Sequence, residues 1–319
     1  MRSEKVKLLL VDGSALVHRA YHAYPNLTNK EGKLINVIYG VGSMLISSLK
    51  DEEPTHVAVA WDVKGPTFRH EEYIGYKATR PKTDEALLEQ IPLTKEMIAS
   101  FGIKEFERQG FEADDLIGSL AKKFYDQVDE VVILTGDQDL MQLVNGKVKV
   151  LLPARGKVPA KLYGEAEVIE RYGVKPKQIV DYKALVGDPS DNIPGVAGIG
   201  PKTASKLLQE FGDLEGIYVA VRQISGSGFQ GSGFRVQDLG LSERVVRQLE
   251  EGRESAFLSQ KLAKIKTDLD LEVELDNLKF EGLERDEVRE FLEKMGFKSL
   301  VRRVFGETKK KADKQLGLF

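Results

Sequence analysis

Val131-Val132-Ile133-Leu134-Thr135-Gly136-Asp137-Gln138-Asp139 decides the fold of this 319-residue chain. A short apolar run, largely β-branched, is followed by a turn and then by acids. Runs of this kind read as strands buried on both faces of a parallel sheet. The same shape occurs upstream in Val6-Lys7-Leu8-Leu9-Leu10-Val11-Asp12 and in Val57-Ala58-Val59-Ala60-Trp61-Asp62. In such sheets the ligand site lies beyond the carboxyl ends of the strands. Acids far apart in sequence are therefore predicted to meet at one edge. Carboxylates ~4 Å apart repel by about 4 kcal/mol per pair at an effective dielectric of about 20. A positive group must sit among them. With oxygen donors and no thiols, a hard cation such as Mg²⁺ or Mn²⁺ fits best.

Outward from these strands, residues 1 to about 190 alternate strand-like and helix-like segments, which implies an α/β fold with a mostly parallel sheet. Helical spacing marks Gly40 to Leu49, residues 84 to 101 with Pro92 as a kink or boundary, and Ala113 to Tyr125. Strand signals fade from about Lys175. Gln178 to Val186 and Lys202 to Phe211 read as helices around a glycine-rich turn. Helical patterns resume at Ser242 to Ile265 and at Arg285 to Phe297. The stretch from Ser225 to Gly233 reads as a flexible loop or insertion.

Composition excludes several classes. There are no cysteines, hence no disulfide framework, zinc finger or thiol nucleophile. This fits a reducing cytoplasm. No apolar stretch is long enough for a membrane span, and no signal-peptide pattern opens the chain. A net charge of −3 leaves nucleic acid binding open, because patches decide it. His18, His22, His56 and His70 show no metal-ligand spacing and read as surface or packing residues.

Further acids join the strand-end set: Glu112, Asp114 and Asp115 at a helix start, and Asp188 and Asp191 three apart on a loop. Any one alone reads as a cap or turn residue. Together they suit two divalent ions about 3.5–4 Å apart, one activating water and one stabilising the leaving oxygen of a phosphodiester. The turn Gly195-Val196-Ala197-Gly198-Ile199-Gly200-Pro201-Lys202-Thr203 nearly matches a P-loop. It follows a helix, however, and Pro201 precedes the lysine, so a helix–hairpin–helix fits better. Its N–H groups would bind phosphate, with Lys202, Thr203 and Lys206 adding backbone contacts. Between Pro66 and Lys82, basic residues interleave with Phe68, Tyr73 and Tyr76. That suits single-stranded nucleic acid and equally a solvated face.

These motifs, in this order, resemble the 5′-nuclease (flap endonuclease) family, in the form of the 5′→3′ exonuclease domain of bacterial DNA polymerase I. The resemblance spans about residues 4 to 305 and is carried by several segments: Val11-Asp12-Gly13-Ser14 with Arg19, Ala60-Trp61-Asp62, Phe68-Arg69-His70, Tyr76 to Pro81, Glu112 to Asp115, Thr135 to Asp139 and Gly187 to Gly195. It implies that Asp12, Asp62, Glu112, Asp114, Asp115, Asp137, Asp139, Asp188 and Asp191 form a carboxylate site for two Mg²⁺ (or Mn²⁺). Lys77 and Arg80 would orient the scissile phosphate from a helical arch. Arg19, Phe68, Arg69 and Tyr76 would contact DNA. Gly195, Gly198 and Gly200 would grip the duplex, with a bound K⁺. The expected layout is a PIN-like nuclease core over 1–174 with the arch around 66–110. A helical region over 175–305 would follow, with its hairpin at about 178–211 and the insertion at 225–233, then a flexible basic tail over 306–319. Implied substrates are 5′ flaps, nicks, gaps and RNA-primed fragments, cut by a cytoplasmic, nucleoid-associated monomer. A non-catalytic adaptor for branched DNA would lack some of the acids, and none is missing. The end of the tail, Gln315-Leu316-Gly317-Leu318-Phe319, is similar to the bacterial sliding-clamp-binding peptide. It implies recruitment by the clamp in place of an attached polymerase, with a separate polymerase as a further partner.

Overall fold

The structure, a computed structural model, describes residues 5–154, 156, 158–226 and 242–306, with side chains at 224–226 outside the description. Residues 227–233 of the insertion and the clamp-like peptide (Gln315, Leu316, Leu318, Phe319) lie outside the described residues.

Six strands form one sheet: β1 (Lys7–Asp12), β2 (His56–Trp61), β3 (Lys104–Glu107), β4 (Glu130–Leu134), β5 (Val148–Leu152) and β6 (Lys161–Tyr163). Their order is β3-β2-β1-β4-β5-β6. All pairings are parallel except β5 with β6. The three acid-bearing runs are therefore neighbours at the centre. From β1 the chain winds one way to β2 and β3, then returns to β4 on the other side of β1. The crevice between β1 and β4 is thus the topological switch point, where such sheets bind ligands.

The strands read as continuous apolar runs because both faces are covered. Leu8, Leu10, Ala58, Ala60, Val131 and Ile133 face one buried cluster. Leu9, Val11, Val57, Val59, Val132 and Leu134 face the other, as the two-residue period requires. The Ala113–Lys123 helix packs on the first face together with the helices Ile179–Val186 and Pro201–Phe211. On the second face lie Asn36–Glu52, Ile91–Ser100 and, from the far end of the chain, Asp286–Lys294 and Lys298–Phe305. The region from 175 onward thus serves both sides of the sheet. Among the described residues, no helix is long and apolar enough to cross a membrane.

The expected arch over 66–110 divides in two. Leu87, Met97, Ile98 and Phe101 are buried in the second cluster, so residues 85–101 belong to the core. Their apolar spacing is packing, not a surface arch. Pro92 sits in the first turn of the Ile91–Ser100 helix, where its missing N–H costs nothing. Only the part up to Arg80 approaches the cleft. It is a short helix, Phe68–Glu72, followed by turns.

Candidate active site

Beyond the carboxyl ends of β1, β2 and β4 lies a cleft of about 980 Å³. Asp12, Asp62, Glu112, Asp114, Asp137, Asp139 and Asp188 line it, together with Lys77, Arg80, Arg19, His18, His22, Ser14, Gln138, Tyr172 and Lys183. The role of a cap and the role of a cleft acid coincide at Asp12. Its carboxylate accepts from Ala15 N–H (2.9 Å), capping the Gly13–Ala23 helix, and from the Thr135 hydroxyl (2.7 Å). Trp61 packs so close to Gly13 that a Cβ there would stand 2.7 Å from its ring. Asp62 accepts from Ala113 N–H at the start of the next helix (2.8 Å). Asp137 accepts from Asp139 N–H (2.9 Å), and Asp188 closes a turn onto Ser190 N–H (2.8 Å).

The acids strain one another. Burial, and next the charge of Asp62, push Asp12 up to about 7. Burial followed by Asp137, Asp12, Asp139 and Glu112 pushes Asp114 well above the carboxylate range. Asp139 is raised by burial to about 7 even though Lys183 opposes the shift. Asp188 goes the other way: burial would raise it, but the Lys183 ammonium and the Ser190 hydrogen bonds bring it below its ordinary value. Lys183 donates to both Asp139 and Asp188, the latter at 2.7 Å.

Among the described residues, no three His, Cys, Asp or Glu side chains converge closely enough to enclose an ion as they stand. The arrangement is an open ring of hard oxygen donors, with ammonium groups in some of its gaps. At Asp12 and Asp114, burial together with the charge of neighbouring acids disfavours the ionised carboxylate. That donor set and that unbalanced charge fit a divalent cation such as Mg²⁺ or Mn²⁺.

Asp115 and Asp191 do not open onto the cleft. Asp115 is fully buried behind Glu112, with which it forms the capping box of the Ala113–Lys123 helix. Both its oxygens are held by Arg69 (2.8 and 2.9 Å), and one also accepts from Lys266 N–H. Arg69, expected to contact DNA, is itself only 2% exposed and also donates to the Leu262 and Lys264 carbonyls. Asp191 is bound by Arg80 and by the Tyr76 hydroxyl. Tyr76 is also expected to contact DNA, yet it is buried, with its hydroxyl between Glu112 and Asp191 at 3.1 Å from each. A ring enclosed in this way cannot stack on a base. Phe68 packs against Phe111, with Arg69 and Lys266 over its faces.

Lys77 reaches Glu112 (2.8 Å) from a left-handed backbone at φ 54°. Its N–H is fixed by the Asp191 carbonyl (2.9 Å), and Asn192 donates to the Gly75 carbonyl. Such a conformation costs about 1–3 kcal/mol and persists where neighbours enforce it. Arg19 lines the cleft and donates to the Pro153 carbonyl.

Gly195 is buried, with its N–H donated to Ser259 and its carbonyl accepting from Ser255, so it cannot grip a duplex. A Cβ there would lie 2.3 Å from Gly187 N, where two backbone segments cross. Gly198 and Gly200 stand further out, ahead of the Pro201–Phe211 helix. Lys202 and Lys206 on that helix are exposed and Thr203 is half-buried. The sequence reading passed over Lys183, and it took His18 and His22 for surface or packing residues, whereas both line the cleft. Their four-residue spacing on the helix that Asp12 caps was the available signal.

The sheet, its switch-point cleft and the acid ring define a class of α/β proteins with a carboxylate-lined site. Sequence profiles then fix the family: that of the 5′-3′ exonuclease N-terminal resolvase-like domain matches residues 7–173, and that of the 5′-3′ exonuclease C-terminal SAM fold matches residues 174–286. The chain belongs to the 5′-3′ exonuclease family, whose members are phosphodiester hydrolases. It is 38% identical to DNA polymerase I of Bacillus subtilis over 316 residues, 99% of this chain and 34% of that protein. The chain therefore spans about a third of the length of the curated relatives it matches. The T5 5′-exonuclease with bound divalent zinc ions superposes with a TM-score of 0.61 at 25% identity, covering 81% of this chain and 89% of that one. The catalytic core of Rad2 in complex with a DNA substrate shares the fold, with a TM-score of 0.58 at 17% identity over 91% of this chain and 88% of that one.

Proposed function

We propose that this chain is a structure-specific, divalent-metal-dependent 5′ nuclease acting on DNA flaps, nicks, gaps and RNA-primed fragments, by both 5′→3′ exonuclease and flap-endonuclease cuts. The observation that carries the reading is the cleft itself, where seven of the nine expected acids meet Lys77 and Arg80. Asp12, Asp62, Asp114, Asp137 and Asp139, with Glu112 and Asp188 beside them, would hold two Mg²⁺ or Mn²⁺. When bound, such ions lower the pKa of water and neutralise charge developing on a phosphate. Lys77 and Arg80 orient the scissile phosphate and stabilise its transition-state charge. Asp115 and Asp191 act from behind: Asp115 fixes the backbone of Glu112 and the buried Arg69, and Asp191 holds Arg80. Gly198, Gly200, Lys202, Thr203 and Lys206 would grip duplex backbone as a helix–hairpin–helix, with a K⁺ ion at the turn.

The peptide at Gln315 to Phe319 would tether the enzyme to a sliding clamp, with a separate polymerase nearby and the protein itself monomeric. Incubating a 5′-labelled flap with folded protein and Mg²⁺ or Mn²⁺ should yield a short 5′ product. No cleavage in either metal refutes the reading. The same assay with and without the clamp, using the full chain and a form lacking residues 315–319, tests the tether.

A further inference from the structure

Between Asp137 and Asp139 stands Gln138, exposed and lining the cleft. Its Oε1 accepts from Arg171 Nη2 (2.8 Å) and from the Tyr172 hydroxyl (2.7 Å), both on the Glu165–Tyr172 helix. A guanidinium carries no acceptor, so chemistry alone makes the amide atom facing Arg171 the oxygen. Burial raises the pKa of the Tyr172 phenol, which therefore keeps its proton to donate. With the oxygen taken twice, the amide cannot flip. Its NH₂ is left without an acceptor among the described residues. A neutral donor is thus held in the cleft wall, between two of its acids in sequence. A lysine in that place would pair with the carboxylates, as Lys183 does with Asp139 and Asp188. An amide does not compete with cations, and it offers an incoming anion one contact that is not repulsive.

We propose that Gln138 is a substrate-contacting residue. Its amide NH₂ donates to a non-bridging phosphate oxygen of the strand entering the cleft, and Arg171 and Tyr172 are its positioning residues. The inference rests on the reading of the cleft as one that receives a phosphodiester strand.

The test uses the full chain with Mg²⁺ and flap substrates carrying a single neutral methylphosphonate at successive positions around the scissile bond. A hydrogen bond to a charged partner corresponds to about a ten- to hundredfold effect. Gln138→Leu should raise KM by about tenfold with little change in kcat. Gln138→Glu should raise it further, because an acceptor would then face the phosphate. Tyr172→Phe should raise it only a few-fold, because Arg171 still holds the oxygen. At one position the methylphosphonate should slow the wild type by the factor that separates it from Gln138→Leu, and should leave Gln138→Leu unaffected. That comparison is internal to each protein, so lost stability cannot imitate it. An unchanged KM in Gln138→Leu overturns the inference, as does an equal methylphosphonate penalty in both proteins at every position. A wild type that cuts no flap overturns instead the nuclease reading.

Discussion

Arg69 and Asp115 form one ion pair at the back of the site, and Lys183 with Asp139 and Asp188 forms another at its rim. The first is sealed: Arg69 is 2% exposed, Asp115 is 0% exposed, and the fork of the guanidinium meets both carboxylate oxygens. The Leu262 and Lys264 carbonyls and the Glu112 carboxylate take the remaining donors, so the guanidinium has none left to exchange. The second opens on the cleft, and a compact ammonium has no fixed fork to lock it. One pair is architecture and the other is a place where a cation is already being held. Adjacent acids such as Asp114 and Asp115 thus divide their labour by which side of the helix start they face.

Four measurements would tell the sealed pair from the open one. Asp114→Asn, on the cleft side, should slow flap cleavage on the order of 10³-fold while keeping flap binding and thermal stability, since it removes a cation ligand and relieves repulsion. Activity kept within tenfold would take Asp114 out of the site. Arg69→Met, on the sealed side, should cost about 3–5 kcal/mol in a denaturant titration, because it leaves Asp115 buried and unpaired. A stable variant with lost activity would reverse the two roles. Lys183→Met should lower the half-saturating Mg²⁺ concentration by about tenfold, because the ammonium shares two carboxylates with any incoming ion. An unchanged Mg²⁺ titration would make Lys183 as structural as Arg69.

The smallest effect is in pH. Asp12 and Asp139 have folded-state values near 7, above those of an unfolded carboxylate. Between about pH 4 and 7 the folded, metal-free protein binds more protons than the unfolded chain. These groups therefore lower its stability as pH rises through that window. An added divalent ion competes with those protons at pH 6 and hardly at all at pH 8. The rise in Tm on adding Mg²⁺ should thus be larger at pH 8 than at pH 6, and the reverse order would contradict the assigned shifts.

Much of this was legible in the chain. Three apolar runs ending on aspartate predicted strands of one parallel sheet, and the gathering of Asp12, Asp62, Asp137 and Asp139 at one edge follows from that geometry; that the three strands are neighbours came from the structure. What the sequence hid was direction. Asp114 and Asp115 read alike until Arg69, 46 residues earlier, is seen to take one of them inward. The aromatic and basic run from Phe68 to Arg80 read as a surface ladder. Instead it turns Arg69 and Tyr76 inward and leaves Lys77 and Arg80 at the cleft, through hydrogen bonds to a loop more than 100 residues later. Lys183 carried no local signal, because its partners come from another strand end and from its own following turn.

The covering of the sheet's second side by Val288, Leu292, Leu300 and Val304 has a consequence for how the chain is made. Translation delivers β1, β2 and β4 long before it delivers the helices that close that side. Until about residue 305 has left the ribosome, Val37, Leu45 and their neighbours lack their final cover. The nascent protein must wait with an adhesive flank, which is where chaperones bind and where premature termination would yield aggregates. These last helices, mostly past the matched span that ends at 286, therefore complete the cover of the sheet's second side.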